Sequence, residues 1–542
     1  MPPFVPLAER IVDALLESSP ALASSAGEHA FDDRLPDLSA DAVAGDVAML
    51  REAADALSEV DVEALQAPER VDHSVLSALV DRDIFELTEV RAHEWDPLAH
   101  NPGPLLHDLI ARPFAPADVR LVGLVGRLAA VPDALATART TLRDVSRIHA
   151  ETAAGQFDGT AALVRDQLPA LLAEAPGLRA TVEPVALEAV RALAGFAGWL
   201  RAGLRDDAGP GREPRLGRRL WEARLWHTLD TELSAGQVLD RAWANLDRIT
   251  EEIRAAAVTL VGGPASDETV RRALDRLGAE HPDDSSVVQL AKLTLAEATE
   301  FVRDADLVSG VDDPCVIQEM PEHARGVAVA YCDSPGPLET AQVPTFYCIA
   351  PTPADWSASR VESFYREYND HMIRNLTVHE AMPGHFLQLA HARRFRGSTR
   401  VRALGHSGPF VEGWAVYAEQ VMADLGFGGL PVRLQQLKMQ LRMTINAILD
   451  QLVHCEELSE ADGMALLAGR GFQEEGEAAG KWRRALLTST QLSTYFVGYT
   501  EVARIAALRP AGVSTRQWHD AMLGYGSPPP RHLPALLGLA EA

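Results

Sequence analysis

The chain has 542 residues, of which 47% are apolar, so it can bury a sizeable core in two or three domain-sized units. Its 77 acidic residues outnumber 50 basic ones, and the net charge of −27 disfavours nucleic acid and anionic membranes as partners. The four cysteines form no C-x-x-C pair, which indicates free thiols in a reducing cytosol and not a disulfide framework.

The N-terminal segment MPPFVPLAERIVDALLE is typical of an amphipathic helix. It has neither the basic region nor the continuous apolar run of a signal peptide. The sequence holds no stretch of eighteen uninterrupted apolar residues, so we expect no transmembrane helix. These features predict a cytoplasmic protein.

Helical periodicity dominates residues 1–310, where apolar residues recur every three or four positions. The periodic segments are 41–58, 116–145, 181–204, 236–260 and 285–304. Stretches rich in Gly, Pro and Asp at 206–215 and 262–268 mark breaks between helices. We expect residues 1–230 to form an N-terminal helical half.

The pattern changes between residues 311 and 350, where VAVAYCD (327–333) and VPTFYCIA (343–350) predict a small sheet of two or three strands. Helical periodicity then returns, and the chain ends in the loop-like segment GYGSPPPRHLP. The later helical segments are 361–395, 410–424, 431–455, 460–470, 476–508 and 515–523. The predicted fold is mainly α, with a deep cleft between halves 1–230 and 231–542.

The segment HEAMPGH, residues 379–385, sets two histidines six positions apart with a Pro-Gly pair between them. A zinc-peptidase helix ordinarily carries its two histidines four positions apart on one face. At about 100° per residue, six steps leave two side chains roughly 120° apart on a straight helix. A zinc site at this motif therefore requires a break in the helix.

Pro383 and Gly384 can provide such a break in either of two ways. Proline lacks the N–H that would bond the carbonyl of His379, and glycine accepts unusual backbone angles. The pair could form a local bulge that turns both histidines toward one point. Alternatively, the pair simply ends a helix, and His379 and His385 are unrelated polar residues.

A catalytic zinc takes three protein ligands and keeps one position open for water. Twenty-seven residues after His385, the segment FVEGWAVYAE (410–419) carries Glu412, with Glu419 seven residues on and nearly on the same helix face. Two acids on one side of an otherwise apolar helix are costly without a positive partner. A metal held by His379, His385 and Glu412 would be that partner, with Glu419 orienting a ligand histidine.

HEAMPGHFLQ and EGWAVYAE together closely resemble the motif pair of a bacterial family, domain of unknown function 885, which is grouped with the zincin metallopeptidases. The resemblance extends over most of the chain and includes the early segment SSAGEHAFDDRLPDLS. It implies a zincin-like helical metallopeptidase with one zinc ion per chain and a small sheet beside the metal helix. Manganese or cobalt could occupy the same mixed imidazole and carboxylate ligands.

The chain is more distantly similar to angiotensin-converting enzyme, the thimet-type oligopeptidases and the thermostable carboxypeptidases. Their H-E-x-x-H motif is followed by a glutamate ligand at a distance comparable to that of Glu412. In angiotensin-converting enzyme, an Arg-Tyr-Phe-Val-Ser-Phe run carries the tyrosine that stabilises the oxyanion. The Thr-Tyr-Phe-Val-Gly-Tyr run at 494–499 assigns that role to Tyr495, with Tyr499 one turn further as a substrate contact or substitute.

Other roles follow from position in the sequence. Glu380, next to the first ligand, is suited to take a proton from a metal-bound water and pass it to the leaving amine. Four residues separate Asp450 from His454, so the carboxylate could fix this imidazole as an oxyanion or substrate ligand. Arg484, or its neighbour Arg483, could receive a peptide C-terminal carboxylate.

These features predict a zinc-dependent hydrolase that cleaves peptide or peptide-like amide bonds in short substrates, of the oligopeptidase or carboxypeptidase type. One alternative is a non-catalytic helical binding protein that retains the metal site, and another is a different metal hydrolase. A ferritin-like di-metal protein is disfavoured because paired Glu-x-x-His motifs are absent from the sequence. Serine-nucleophile, P-loop and dinucleotide motifs are also absent.

Overall fold

The structure is a computed structural model that describes residues 3–205, 211–320, 329–353 and 356–539. Within these ranges the chain is mainly helical and contains one small sheet, as the sequence predicts. The helices before the sheet are α1 (Phe4–Ser18), α2 (Pro20–Ala26), α3 (Ala40–Ser58), α4 (Ala67–Phe85), α5 (Gly103–Ala111), α6 (Ala117–Thr141), α7 (Arg147–Glu174), α8 (Arg179–Arg205), α9 (Arg218–Leu229), α10 (Ala235–Val261), α11 (Asp267–Gly278) and α12 (Val287–Asp304).

The helices after the sheet carry the HEAMPGH and EGWAVYAE motifs. They are α13 (Ala358–Glu367), α14 (Asp370–Glu380), α15 (His385–Ala392), α16 (Val401–Leu404), α17 (Gly408–Asp424), α18 (Gly429–Cys455), α19 (Glu460–Met464), α20 (Glu475–Leu487), α21 (Thr494–Ala507), α22 (Thr515–Leu523) and α23 (Leu533–Leu536). Short 3₁₀ and π turns join several of them.

Two of the predicted helical segments are wrong as single helices. Segment 361–395 contains α13, α14 and α15, and segment 476–508 contains α20 and α21. Asn369 makes the first break, because its side chain accepts hydrogen bonds from the backbone N–H groups of His371 and Met372 and caps α14. The second break precedes α21, where Asp450 accepts from the backbone N–H groups of Thr490 and Ser493. The spacing of apolar residues cannot reveal either contact, because both are made by polar side chains.

The sheet has three strands, β1 (Cys315–Glu319), β2 (Ala330–Asp333) and β3 (Thr345–Ile349), in the order β1-β3-β2. β1 runs parallel to β3 and β2 runs antiparallel to it, with Ile317 and Cys332 on either side of Tyr347. Residues 327 and 328 of the predicted strand lie outside the described residues. Tyr347 is fully buried, and its hydroxyl lies 3.4 Å from Oγ1 of Thr377 on α14. The sheet therefore packs beside the helix that carries the first histidine.

The hydrophobic core consists of several clusters. One cluster joins α5, α6, α7 and α8, and a second packs α1, α3 and α4 against α16. The largest cluster contains residues of α9, α10 and α11 together with α18, α20 and α21. The predicted division at residue 230 and the predicted deep cleft stay predictions.

Helix α6 is, within the described ranges, the one helix with the length and apolar composition of a membrane span. Its residues Leu121, Leu124, Leu128 and Val131 are fully buried in the cluster shared with α7 and α8. A core helix of a helical protein has the same composition.

The early motif SSAGEHAFDDRLPDLS ties the N-terminal helices to the loop between β2 and β3. His29 lies between two carboxylates, with Nδ1 2.9 Å from Asp32 and Nε2 2.9 Å from Glu339. Its ring stacks on Phe114 at a centroid distance of 3.8 Å. Burial lowers the pKa of His29, but the hydrogen bonds to the two carboxylates outweigh burial and hold it above its ordinary value.

We expect His29→Gln to reduce stability in a pH-dependent way. Because the folded-state pKa is raised, the contribution is fully present below the unfolded pKa of about 6.5 and is lost as pH rises through the folded pKa. Urea denaturation of both proteins between pH 5.5 and pH 9 should show a stability difference that shrinks as pH increases. The control is His73→Gln, since that ring bonds the backbone carbonyl of Leu57. A His29 difference that is constant with pH would contradict the ion-pair assignment.

Candidate metal centre

The HEAMPGH motif spans a junction between two helices. His379 is the next-to-last residue of α14 and His385 is the first residue of α15, and a Met382–Pro383 bond in the cis form lies between them. The backbone N–H groups of Ala381 and Met382 both donate to the carbonyl of Thr377, at 2.9 and 3.2 Å. The Pro-Gly pair therefore ends the helix, and the chain immediately starts a second one.

Gly384 is required here by close approach of the backbone. A Cβ atom on this residue would lie 1.9 Å from the carbonyl oxygen of His379 and 2.4 Å from that of Val378. The Gly384 N–H instead donates to the Val378 carbonyl at 3.0 Å. This contact folds the start of α15 back against the end of α14.

The junction brings both imidazoles to one carboxylate of α17. Ligand atoms of His379, His385 and Glu412 all lie within 4.8 Å of one another. Nε2 of each histidine is 3.4 Å from Oε2 of Glu412, and the two rings are nearly perpendicular, at 86°. The sequence allowed the Pro-Gly pair either to end a helix or to bring the two histidines together. In the structure it does both: α14 ends before the pair, and His379 and His385 meet at Glu412.

Glu419 orients His379 from two turns further along α17. Nδ1 of His379 lies 2.7 Å from Oε1 of Glu419, whose other oxygen accepts from Nδ2 of Asn375 at 2.5 Å. Oε1 of Glu419 is thus placed to accept from Nδ1, which assigns the ring proton to Nδ1 and leaves Nε2 facing Glu412. Metal-binding histidines commonly have this carboxylate arrangement.

His379, His385 and Glu412 are close enough for the charge of each to affect the pKa of its neighbours. Burial lowers the pKa of His379, but the carboxylates of Glu412 and Glu419 beside it outweigh burial and raise it well above its ordinary value. Burial raises the pKa of Glu412, but His379 and His385 outweigh burial and hold it well below its usual range. Glu412 is therefore ionised, and its charge is balanced by the imidazoles.

The three donors fit a zinc ion. Two ligands each about 2.0–2.1 Å from a tetrahedral zinc are roughly 3.4 Å apart, which is the separation of each Nε2 from Oε2 of Glu412. In the described chain, Oε2 of Glu412 is buried without a hydrogen-bond partner. Two imidazoles and one carboxylate leave a fourth position for water.

Glu380 follows His379 and lies between this cluster and the sheet. It is 6% exposed, and burial raises its pKa, while the nearby imidazoles lower it less. Its charge raises the pKa values of Cys332 on β2 and Tyr347 on β3, in each case after the larger effect of burial. The carboxylate is therefore enclosed between α14 and the two strands.

Helices α17 and α21 cross at two glycines that the sequence motifs did not single out. A Cβ atom on Gly413 would lie 2.3 Å from the carbonyl carbon of Gly498, and one on Gly498 would lie 2.0 Å from the carbonyl oxygen of Pro409. Gly413 directly follows Glu412, and Gly498 is three residues after Tyr495. The crossing therefore fixes the position of Tyr495 relative to the proposed ligand.

The two predicted tyrosines differ in their surroundings. The pKa of Tyr495 is raised by burial and then by the charge of Glu412, and it is lowered by the neighbouring Arg484 and Gln491. The phenol is therefore close enough to Glu412 to respond to its charge. The hydroxyl of Tyr499 instead donates to Gln420 of α17 in a close hydrogen bond, and its side chain is 6% exposed. This bond holds α21 against α17. The substrate contact assigned to Tyr499 stays a prediction.

The predicted catalytic role of His454 is wrong. Its Nδ1 accepts from the backbone N–H of Leu216 at 3.1 Å, and its Nε2 lies 2.9 Å from the carbonyl oxygens of Ala485 and Thr488. Both ring nitrogens are thus occupied by backbone groups, and neither can meet a substrate. Its expected partner Asp450 is 4.0 Å away.

Asp450 instead organises the segment before α21. Its two oxygens accept from Nε1 of Trp221 at 3.0 Å and from the Ser493 hydroxyl at 2.9 Å. They also accept from the backbone N–H groups of Thr490 and Ser493, as described above. The predicted Arg483 is exposed and donates to Thr152 at 2.7 Å, whereas Arg484 donates to Gln491 at 2.8 Å beside Tyr495.

Two further residues of the centre could have been found from spacing. Asn375 lies four residues before His379 and so on the same helix face, where it bonds the same glutamate. Trp414 follows Glu412 by two residues, and its Nε1 donates to the carbonyl of Pro383 at 2.8 Å. This bond joins α17 directly to the helix junction.

A cavity of about 1000 Å³ lies away from these residues. It is bordered by Arg112, by residues 332–340 between β2 and β3, and by residues 392–403 around α16. His379, His385, Glu412 and Glu380 do not line it.

Comparison with known proteins identifies relatives of the whole chain. The family model described as "Bacterial protein of unknown function (DUF885)" matches residues 20–537. None of the curated proteins matches significantly. A structure of a candidate lipoprotein of unknown function from Shewanella oneidensis is 27% identical, with a TM-score of 0.81 over 99% of this chain and 100% of that one.

Two further structures are more distant. A candidate lipoprotein from Colwellia psychrerythraea is 16% identical, with a TM-score of 0.79 over 99% of this chain and 98% of that one, and so shares the fold. An M32 carboxypeptidase from Deinococcus radiodurans R1 is 10% identical, with a TM-score of 0.37 over 98% of this chain and 96% of that one.

The predicted cytoplasmic location is contradicted by these comparisons. Both structures with TM-scores of 0.81 and 0.79 are described as candidate lipoproteins, which are membrane-anchored and not cytoplasmic proteins. The prediction relied on the first residues and on cysteine usage.

We expect the purified protein to hold about one zinc per chain, and His385→Ala and Glu412→Ala to lose it, since each removes one of three donors. Glu419→Gln should weaken zinc binding by about 10- to 100-fold through the orientation of His379. Elemental analysis and competition with a chelator measure both effects. His391→Ala is the control, because that ring bonds the carbonyl of Ser309. Zinc retained by the first two variants, or absent from zinc-treated wild type, would contradict the assignment.

We expect Gly413→Ala to destabilise the protein by at least about 1–3 kcal/mol, because the added methyl group overlaps Gly498 and forces α17 and α21 apart. Urea unfolding measures this change. Gly476→Ala is the matched control, since a Cβ atom on that exposed glycine of α20 would meet no atom of the described chain within 4 Å. Equal stability of both variants would show that the helix crossing is not tight.

Proposed function

The chain belongs to the bacterial DUF885 family, and we propose that it is a zinc-dependent hydrolase of peptide or peptide-like amide bonds in short substrates. The convergence of His379, His385 and Glu412 within 4.8 Å carries this proposal. When bound there, zinc supplies a coordinated water with a pKa of about 7 and polarises the scissile carbonyl. The roles of the chain's own residues follow from their positions around these three ligands.

Glu380 is the general base of the proposed reaction. It is adjacent to a proposed ligand histidine and is buried. It would take the proton of the attacking water and deliver it to the nitrogen of the leaving amine when the C–N bond breaks. A non-catalytic binding protein would have no use for a buried carboxylate here, whose desolvation is costly.

Tyr495 is the proposed donor to the oxyanion that forms on the scissile carbonyl oxygen. Its phenol is close enough to Glu412 for the charge of that carboxylate to raise its pKa, and Arg484 and Gln491 are its neighbours. A preorganised donor of this kind needs no reorientation when negative charge develops. The Gly413–Gly498 crossing supports the same role by limiting movement of α21.

Burial of the centre supports a short, flexible substrate. His379 and His385 are each 8% exposed and Glu380 is 6% exposed, so a folded protein surface could not reach them. Short peptides are therefore the proposed substrate class, in preference to folded proteins.

We expect Glu380→Gln to retain zinc and to lower the rate of peptide hydrolysis by about 100- to 10,000-fold, because it removes the proton acceptor and leaves all three ligands. Mass spectrometry of a library of short peptides measures hydrolysis, and elemental analysis measures zinc. The control is Glu300→Gln, an exposed residue of α12. Cleavage by the Glu380 variant at the wild-type rate would refute this role, and a zinc-loaded wild type that cuts no peptide would refute the function.

A further inference from the structure

The loop between α22 and α23 contacts both helices that carry candidate metal ligands on either side of it. Ser527 of this loop is buried, and its Oγ accepts from Nε2 of Gln388 on α15 at 2.7 Å. Its backbone carbonyl accepts from the N–H of Ser407, at the start of α17, also at 2.7 Å. Since α15 begins at His385 and α17 carries Glu412, one residue bonds to the supports of two proposed ligands.

The hydrogen bond to Gln388 acts on the first turn of α15. Gln388 follows His385 by three residues, so the two side chains are neighbours on one helix face. Its side chain is fully buried. In the described chain, Nε2 of Gln388 bonds Ser527, whereas Oε1 is buried without a hydrogen-bond partner. The bond to Ser527 is therefore what holds this buried amide, and with it the turn that presents His385.

The hydrogen bond to Ser407 acts on the first turn of α17. Ser407 is the residue that caps this helix, because its Oγ accepts from the backbone N–H of Phe410 at 3.3 Å. The N–H of the same residue is held by the Ser527 carbonyl. Glu412 comes five residues after the cap, so the start of the helix determines where this carboxylate lies.

The loop that carries Ser527 is itself fixed to a helix outside the centre. The carbonyl of Tyr525 accepts from Nη1 of Arg402 on α16 at 3.0 Å. Arg402 also forms a buried ion pair with Asp72 of α4, with Nε 2.7 Å from Oδ1. Between them, Gly526 has a φ of 80°, in the left-handed region that favours glycine. Ser527 is therefore a fixed point against which α15 and α17 can be placed.

We propose that Ser527 is a positioning residue of the candidate metal centre, which holds α15 and α17 so that His385 and Glu412 meet at one ion. Ligands of a metal site have to be held within about 0.5 Å of the binding geometry, and this demands support behind the ligands themselves. Glu419 gives such support to the ring of His379. Ser527 gives it through the helices to the other two ligands. The inference rests on the metal site of the proposed function and adds a residue that touches neither metal nor substrate.

The test measures metal binding to the full chain without reading catalysis. Metal-free protein is titrated with Co²⁺, which suits the same imidazole and carboxylate ligands and whose visible absorption reports ligand geometry. We expect Ser527→Ala to bind Co²⁺ about 10- to 100-fold more weakly than wild type and to show an altered spectrum at saturation. Ser527→Thr should restore both properties, because it keeps the hydroxyl and its methyl group can enter the cavity that Ser527 borders.

A double-mutant cycle tests whether the bond to Gln388 carries the effect. Gln388→Met removes the amide at similar volume, and we expect it also to weaken Co²⁺ binding. If the two side chains act through their common bond, the double variant binds no more weakly than the weaker single variant. Losses that multiply in the double variant, or a threonine variant as weak as the alanine variant, would overturn the proposal.

The matched control is Ser24→Ala on α2. Ser24 is likewise buried, and its Oγ donates to Asp108 at 3.0 Å, away from the metal centre. It should lower stability to urea and leave the affinity and spectrum of Co²⁺ unchanged. An equal loss of Co²⁺ binding in Ser24→Ala and Ser527→Ala would mean that lost stability alone explains the effect, which contradicts a positioning role.

Metal binding and peptide cleavage separate this inference from the proposed function. Weaker Co²⁺ binding by Ser527→Ala, in a protein whose zinc-loaded wild type cuts no peptide, would support the positioning role and refute only the hydrolase. Peptide cleavage by wild type, together with unchanged Co²⁺ affinity and spectrum in Ser527→Ala, would refute only the positioning role. A wild type that binds neither Co²⁺ nor zinc would refute both.

Discussion

The pairing of two buried carboxylates on α17 with the imidazoles of the HEAMPGH motif is the interaction on which the rest of the centre depends. Glu412 and Glu419 occupy one face of a helix that is otherwise apolar, and each meets a histidine nitrogen. Removing one partner of a buried charged pair costs about 3–5 kcal/mol, because the other charge remains without compensation. The helices that carry these groups are therefore held in one relative position.

Close backbone contacts make that position rigid. Gly384 lets α15 start against the last turn of α14, and the Gly413–Gly498 contact brings α17 and α21 closer than side chains would allow. Trp414 adds a hydrogen bond from α17 to the carbonyl of Pro383. A metal site gains from this arrangement, because ligands that are already in position lose little entropy when an ion binds.

The sequence by itself determined the mainly helical fold, the small sheet and the identity of the candidate ligands, because these depend on local periodicity and on residue types at fixed spacing. It could not determine that a Pro-Gly break both ends α14 and brings His385 back to His379, since that depends on backbone contacts across the junction. It assigned His454 to catalysis, whereas contacts with Leu216, Ala485 and Thr488 use both of its nitrogens. Only the tertiary structure decided these points, because partners distant in sequence determine what a buried polar group does.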